Sequence, residues 1–444
     1  MRNTALSAVL GAFAVATGPG AASCQMSDAE LTAKAQAIHR KTLTLDTHVD
    51  ISPSNFQTGQ LNYGQRLGTQ VDLTKMEAGG LDAIFFSIFV GQGALDSAGY
   101  AGAYATDTAK FNAIHRLVDS IAPGRIGLAL TAEDARRLFR QGKKIAFMGV
   151  ENGYGIGTDI SRVKEFYDRG ARYLSLAHNG HNQLSDSNTG EGDNVWMWHG
   201  ISPLGKDVIR EENKWGIMID ISHPSRESMM QAIQLSRAPI IASHSAVRSL
   251  CDVSRNLDDE QLKALAKHGG VIQVVAFRGY IKCDPKGDAA RARALADLRA
   301  EFGIAPATGR SGGRGAASAA ADSQVAGLAE GRRREYDTKL HQIAQRYPQQ
   351  PVANVKDLVD HIDYAVKLMG IDHVGISSDF DGGGGIDGYN SALDAINVTK
   401  ELVRRGYTEE QIGKIWGGNL LRVLDDVQRV AKQIQAEAAG KPGR

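Results

Sequence analysis

The chain has 444 residues, of which 42% are hydrophobic and 50 are glycine, so it is long enough for one large domain or two smaller ones. Lysine and arginine number 51 against 50 aspartates and glutamates, which leaves a formal net charge of +1. This balance gives no electrostatic reason to expect nucleic acid or an anionic membrane surface as a partner, and it favours a small molecule.

The first 23 residues have the layout of an export signal. Arg2 precedes a short apolar run, Ala5–Ala16, and small residues follow it. The run is shorter than the roughly 20 residues that a bilayer-spanning helix needs. We therefore predict a signal peptide over residues 1–23, no transmembrane segment after its removal, and an exported protein that is periplasmic or secreted. Lipidation of Cys24, as in a bacterial lipoprotein, is an alternative, although Ala21 stands where such signals usually have leucine.

Beyond residue 27, apolar runs alternate with amphipathic segments. Several runs are almost wholly apolar, which is typical of parallel strands covered on both faces. Eight strands with helices between them predict an α/β fold of the (β/α)8 TIM-barrel type, with a doubly wound open sheet as the alternative. We expect the strands near Thr42–His48, Leu81–Val90, Lys144–Glu151, Arg172–His178, Gly216–His223, Pro239–Ser245, Gly269–Phe277 and His373–Asp379.

One long segment interrupts this alternation between the seventh and eighth strands. Residues 284–350 contain two charged helical patterns, separated by a stretch rich in glycine, serine and alanine. Their low apolar content predicts a helical and flexible surface excursion rather than core. We expect the barrel to occupy residues 27–430, this insertion included, and a polar tail to cover residues 431–444.

Histidine and carboxylate side chains recur at the ends of the predicted strands. A barrel directs the carboxyl ends of its strands to one mouth, so residues far apart in the chain can converge there. Each residue alone has an ordinary structural explanation, and a histidine two positions from an aspartate is common by chance. All of them together predict a metal centre. Its expected ligands are His48, Asp50, Glu151, His223 and His244.

Three imidazoles and two carboxylates suit borderline divalent ions, zinc first, with manganese or cobalt as substitutes. Five ligands exceed the three of a usual single catalytic zinc, so we expect two zinc ions per chain that share a carboxylate and a water. Glu151 is the expected bridge, with His48 and Asp50 on one ion and His223 and His244 on the other. Such a pair activates water and polarises a carbonyl, so hydrolysis is the expected chemistry.

Three further residues fall at the same mouth. Asp379 ends the eighth strand, and we expect it, rather than Asp381, to transfer a proton to the leaving amine. His178 is expected to donate a hydrogen bond to the oxyanion that forms during attack. Arg255 is expected to hold a substrate carboxylate through a bidentate contact.

The segments LDTHVD, GVENG, LSLAHN, DISHPS, ASHSAVRSLCDVSRNLDD and VGISSDFDG together resemble the membrane (renal-type) dipeptidase family, peptidase family M19. The resemblance runs over essentially the whole chain after the signal. It implies a binuclear zinc (β/α)8 barrel that hydrolyses dipeptides, often with a C-terminal D-residue, and that often forms a homodimer. The same resemblance places the five metal ligands on the residues named above.

The resemblance also assigns roles outside the metal ligands. It implies Asp379 as the acid/base, and substrate binding by His178, Arg255 and Tyr280. It further implies a disulfide between Cys251 and Cys283, which by position alone are equally two unrelated buried thiols.

Two other functions remain open at this point. A barrel amidohydrolase that acts on N-acyl amino acids or cyclic amides usually begins with His-x-His, and Asp50 in the third place argues against it. A non-catalytic exported binding protein would not need the intact ligand set or Asp379.

Overall fold

The computed structural model describes residues 26–304, 325, 328–347 and 352–440. The predicted signal peptide and Cys24 lie outside the described residues. Within them the strands are β1 Leu45–Asp50, β2 Ala83–Phe89, β3 Ile126–Leu128, β4 Lys144–Glu151, β5 Ala171–Ser175, β6 Met218–Asp220, β7 Ile241–Ser245, β8 Val271–Val275 and β9 Val374–Ser377.

Eight of these strands form a parallel barrel. The order is β1-β2-β4-β5-β6-β7-β8-β9, and every pairing is parallel. The ring closes where Val49 of β1 bridges to Phe380 beyond β9, with the Asp50 amide 2.9 Å from the Phe380 carbonyl oxygen. The predicted (β/α)8 barrel is therefore confirmed, and the open sheet is excluded.

The remaining strand, β3, pairs only with the first three residues of β4, whereas β5 pairs with β4 from Met148 onward. It was not predicted, because a run of three residues is too short to show a hydrophobic period.

Helices surround the barrel on its outer face. Their bounds are α1 Asp28–His39, α2 Leu73–Gly79, α3 Ser97–Arg116, α4 Ala132–Arg140, α5 Ser161–Arg169, α6 Pro203–Trp215, α7 Arg226–Leu235, α8 Asp259–Lys267, α9 Arg278–Ile281, α10 Pro285–Glu301, α11 Glu330–Arg346, α12 Val355–Met369, α13 Ala395–Arg404, α14 Glu409–Gly413 and α15 Asn419–Ala439. None of the helices in the described ranges has the length and apolar character that a membrane crossing needs.

The insertion between β8 and β9 is helical, as predicted. Helices α10 and α11 contact each other through a small apolar cluster of Leu298, Phe302, Ile304 and Tyr336, which is separate from the main core. The insertion is therefore an addition to the barrel, and it does not replace any of its strands.

Alternate residues of the strands face opposite sides, which explains why the strands are apolar throughout. In β2, Ile84 and Phe86 belong to the core between barrel and helices, whereas Phe85 belongs to the barrel interior. Inside the barrel the rings of Phe85, Phe147 and Tyr173 stack, with centroids 4.6 and 5.1 Å apart.

The last helix, α15, closes the amino end of the barrel. Its apolar face, with Leu420, Leu424 and Val427, joins the interior cluster beneath the stacked rings. The helix continues to Ala439, and Val430 and Ala431 are still buried, so the predicted polar tail of residues 431–444 begins within α15. Because α15 closes the amino end of the barrel, the open end is the carboxyl end.

Helix α12 is tied to the loops of the open end by a buried histidine. His361 accepts a hydrogen bond from the Val247 amide at Nδ1 (3.1 Å) and donates one from Nε2 to the Ile281 carbonyl oxygen (3.0 Å). Only a neutral ring makes both bonds. Burial lowers the pKa of His361 to about 4 from its ordinary 6.5.

We expect this histidine to make stability fall with acid. The unfolded chain takes up a proton on this histidine near pH 6.5, whereas the folded protein does so only near pH 4. The contribution of the neutral, buried ring to the free energy of unfolding is therefore complete above pH 6.5 and is lost as the pH drops towards 4. At about 1.4 kcal/mol for each pKa unit, the total is about 3 kcal/mol. Urea unfolding of metal-free wild-type and His361→Gln proteins between pH 4.5 and 7 checks it, since glutamine makes both hydrogen bonds without titrating. Equal pH slopes for the two proteins would contradict the assignment.

Candidate metal centre

The carboxyl ends of the strands open into a cavity of about 1280 Å³. The sequence-predicted residues that line it are Asp50, Glu151, His178, His223, His244, Tyr280 and Asp379. His48 lies beneath them and is completely buried. The structure thus brings together side chains from seven strands or the loops that follow them.

Glu151 stands at the centre of this cluster. Its Oε2 atom is 3.1 Å from His48 Nε2, while its Oε1 atom is 3.1 Å from His223 Nε2 and 3.2 Å from His244 Nε2. Burial by itself would raise the pKa of Glu151, but His48 and the other histidines around it hold that pKa well below its ordinary value. An ionised carboxylate therefore faces different histidines with its two oxygens.

Two further carboxylates flank His48. Asp50 Oδ2 lies 3.7 Å and Asp379 Oδ1 lies 4.0 Å from His48 Nε2. Both carboxylates pack against Gly382, where a Cβ atom would overlap them, so only glycine fits there. Burial raises the pKa of Asp379 to about 8, and the charge of Asp50 adds to this.

Each of the three histidines predicted as ligands uses its Nδ1 atom outside the cluster. These bonds join His48 to Tyr173 Oη (2.9 Å), His223 to Asn179 Oδ1 (3.1 Å) and His244 to Ser243 Oγ (2.8 Å). Outer bonds of this kind orient an imidazole and select its tautomer. All three Nε2 atoms are consequently turned towards Glu151.

The Ser243 bond shows how the tautomer is selected. Ser243 donates its hydroxyl hydrogen to Asp220 Oδ2 at 2.6 Å, so its oxygen is left to accept from His244 Nδ1. Burial lowers the pKa of His244 well below its ordinary value, which keeps the ring neutral. Its Nε2 atom then carries a lone pair and no proton.

This donor set fits a divalent cation. The Nε2 atoms of His223 and His244 are 3.1 Å apart and both face Glu151, so acceptor atoms point at one another. Within the described residues, the buried Nε2 of His48 has no hydrogen-bond partner. Groups of side chains that could hold an ion are His48, Glu151 and His244; Glu151, His178 and His223; and His48, Asp50 and Asp379. Nitrogen and carboxylate oxygen ligands of this kind suit zinc and its neighbours.

Two aspartates that sequence reasoning missed hold the strand ends in place. Asp46 Oδ1 accepts from the amides of His48 (3.2 Å) and Ser378 (2.9 Å). Asp220 Oδ1 does the same for Ser222 (3.0 Å) and Ser243 (2.8 Å). The signal was present as an aspartate shortly before a histidine in both LDTH and DISH.

Three of the predicted residues lie beyond their strands rather than within them. Strands β5, β6 and β9 end at Ser175, Asp220 and Ser377, so His178, His223 and Asp379 stand on the loops that follow. His223 and Asp379 have φ angles of 79° and 57°. This left-handed conformation is uncommon outside glycine and turns the chain inward over the cavity.

His178 lines the cavity and approaches Glu151 at the carboxylate oxygen that does not face His48. Its Nε2 atom is 3.7 Å from Glu151 Oε1, and its ring packs between His223 and Phe89, at 4.1 and 4.6 Å between centroids. Burial lowers the pKa of His178, so the ring is a neutral donor or acceptor.

Arg255 is buried at the edge of the site. Its guanidinium donates to Ser245 Oγ (2.8 Å) and to the His244 carbonyl oxygen (2.7 Å), and its Cζ atom lies 5.4 Å from the centroid of the Tyr280 ring. Tyr280 lines the cavity beside it. The predicted arginine therefore lies next to the tyrosine, which forms the wall of the cavity there.

A disulfide supports that wall, as the family resemblance implied. Cys251 and Cys283 are bonded, with Cα atoms 5.4 Å apart. Asn256 joins the same two loops by donating to the carbonyl oxygens of Cys251 (2.8 Å) and Tyr280 (2.7 Å).

A (β/α)8 barrel with a buried carboxylate among imidazoles at its carboxyl end defines a metal-dependent hydrolase. A model of the membrane dipeptidase family, peptidase family M19, matches residues 32–438. The chain belongs to this family, and it is a metal-dependent hydrolase of the dipeptidase class.

Individual relatives agree with this assignment. The chain is 27% identical over 370 residues to the dipeptidase tcpJ of Claviceps purpurea, a match that covers 82% of this chain and 71% of that protein. It is 33% identical to the crystal structure of the probable dipeptidase PvdM from Pseudomonas aeruginosa, with a TM-score of 0.73 over 91% of this chain and all of the other. A metallopeptidase from Rhodobacter sphaeroides shares the fold, with 19% identity, a TM-score of 0.64 and coverage of 87% and 99%.

Proposed function

We propose that this protein hydrolyses the peptide bond of dipeptides, including dipeptides with a C-terminal D-residue, with two zinc ions per chain. The observation that carries the proposal is the position of Glu151, whose two carboxylate oxygens face different histidines of one buried cluster. The Rhodobacter sphaeroides structure is liganded with a phosphinate mimic of the dipeptide L-Ala-D-Ala, which supports this substrate class.

His48 and Asp50 would hold one ion, His223 and His244 the other, and Glu151 both. When bound, two such ions lower the pKa of a water and polarise the scissile carbonyl. The side chains around the ions stabilise the developing charge and transfer the protons. His178, a neutral ring that lines the cavity beside them, donates a hydrogen bond to the carbonyl oxygen as negative charge develops there.

Asp379 is placed to move protons. Its carboxyl group reaches the cavity beside His48, and burial gives it a pKa of about 8, close to the pH at which a general acid/base works best. It accepts the proton of the attacking water and passes it to the nitrogen of the leaving amine.

We also propose that residues 1–23 are removed during export and that the enzyme acts in the periplasm or outside the cell. An oxidising compartment of that kind would preserve the Cys251–Cys283 bond. Formation of a homodimer is a further proposal, taken from the family resemblance alone.

A direct assay tests the proposed activity. The purified, zinc-loaded protein is offered dipeptides, the corresponding tripeptides and N-acyl amino acids. We expect rapid hydrolysis of dipeptides only. Turnover confined to N-acyl amino acids would favour the amidohydrolase alternative, and binding without turnover would favour the binding protein.

The preference for dipeptides is expected to depend on Arg255. If its guanidinium holds the free carboxylate, a longer or amidated peptide leaves that charge unpaired, at a cost of about 1.5–3 kcal/mol. This is roughly a ten- to hundredfold preference for the free acid. Arg255→Ala should shrink the ratio of kcat/KM between a dipeptide and its C-terminal amide. An unchanged ratio would remove Arg255 from carboxylate recognition.

A further inference from the structure

A buried lysine at the edge of the main cavity takes no part in the proposed hydrolysis. Lys110, on α3, is only 7% exposed, and it lines the main cavity. Its ammonium nitrogen lies 5.4 Å from the centroid of the Phe89 ring, which in turn packs 4.6 Å from His178. The ring of Phe89 therefore lies between Lys110 and His178, the residue expected to contact the scissile carbonyl.

A second cavity of about 480 Å³ adjoins the first at this point. Phe89 and Lys110 line both cavities and form the boundary between them. Most of the remaining wall consists of glycine and alanine: Gly91, Gly93, Ala98, Gly99, Gly102 and Ala103. A substrate side chain that passes Phe89 would find space here, with a single cation at the entrance.

The Lys110 ammonium makes no hydrogen bond or ion pair with any side chain or backbone group in the ranges that the structure covers. Burial lowers the pKa of Lys110, and the carboxylates of Asp50, Glu151 and Asp107 oppose this only through space. The first two belong to the metal cluster, whose ions would take up their charge. Asp107 is buried without a hydrogen-bond partner of its own among the described residues, and burial raises its pKa well above the ordinary value. A desolvated cation without a fixed counter-charge favours an anionic ligand.

The positions of Lys110 and Arg255 around the barrel indicate which end of the substrate lies near Lys110. Lys110 follows β2, the second strand of the ring, and Arg255 follows β7, the sixth. Strands four places apart in a ring of eight are on opposite sides. A dipeptide whose C-terminal carboxylate lies at Arg255 consequently directs its N-terminal residue towards Phe89 and Lys110.

We propose that Lys110 and the second cavity form the subsite for the side chain of the N-terminal residue, and that this subsite selects a side chain ending in a carboxylate, such as glutamate. The aliphatic part of such a side chain packs on Phe89 and the glycine-rich wall, and its carboxylate pairs with the ammonium group. This assignment rests on the proposed dipeptidase function and on the placement of the C-terminal carboxylate at Arg255.

The test compares Glu-Ala with Gln-Ala, which differ in charge and hardly in size, and uses Ala-Ala as the reference substrate. We expect the wild-type kcat/KM for Glu-Ala to exceed that for Gln-Ala by roughly ten- to a hundredfold, the range of a charge-assisted hydrogen bond. Lys110→Met should bring the ratio close to one, and Lys110→Arg should keep most of it. Lys282→Met is the matched control, because Lys282 lines the same cavity but is paired with Asp357 at 3.1 Å; it should leave the ratio unchanged.

Each outcome is decisive for one of the two proposals. A wild-type ratio at or below one overturns the subsite, whatever the variants do, while Ala-Ala hydrolysis would leave the dipeptidase function standing. A high ratio that persists in a folded Lys110→Met protein, checked by circular dichroism, also overturns it. If Lys110→Met does not fold, the wild-type ratio and Lys110→Gln decide. Failure to hydrolyse any of the three dipeptides refutes the proposed function, and the subsite with it.

Discussion

Replacing Glu151 by glutamine is expected to abolish hydrolysis and to weaken the binding of both metal ions at once. One oxygen of Glu151 faces His48 and the other faces His223 and His244, so the loss of its negative charge reaches histidine ligands of both ions. The barrel itself should persist, because glutamine has the same size. Metal analysis of the purified protein, together with circular dichroism, checks both statements.

Glu212 offers a matched control for this change. It is a fully buried glutamate on α6, outside the metal cluster, and burial raises its pKa well above the ordinary value. Glu212→Gln should keep two ions and full turnover. A wild-type protein with one ion per chain at full activity, or a Glu151→Gln protein with two, would defeat the bridged arrangement.

Asp379→Asn is expected to keep both ions and yet lose most of the turnover. Asparagine fills the same space beside Gly382 but can neither accept the proton of the attacking water nor deliver one to the leaving amine. General acid/base catalysis of this kind is worth about 10²–10⁴-fold in rate. The measurement is kcat for a dipeptide at saturating substrate and metal, with metal content determined on the same sample.

Asp381 provides the comparison from the same loop. Its carboxylate accepts hydrogen bonds from the backbone amides of Gln70 (2.8 Å) and Val71 (3.3 Å), which is a structural role. Asp381→Asn should therefore lower stability modestly and preserve turnover. Comparable turnover in the two variants would remove Asp379 from proton transfer.

The amino-acid sequence by itself determined the barrel and the places where chemistry was to be sought. Apolar strands that alternate with amphipathic helices leave few other architectures, and a barrel brings the carboxyl ends of its strands to one mouth. A histidine or carboxylate at the end of such a run, as with His48 and Glu151, was therefore enough to predict convergence. The order of the strands along the chain therefore predicted which side chains would lie close together.

Only the tertiary structure decided how those side chains are oriented and what stands opposite them. The partners of the ring nitrogens, such as Tyr173 for His48, come from other strands and leave no local pattern in the sequence. The same holds for Lys110. In the sequence it is an ordinary residue of an amphipathic helix, and only the fold places its ammonium group beside the ring of Phe89. The C-terminal helix gives a related example, since its polar face dominates the composition while its apolar stripe closes the barrel. Sequence periodicity reports which face of an element is buried, but contacts between elements far apart in the chain depend on how those faces meet in three dimensions.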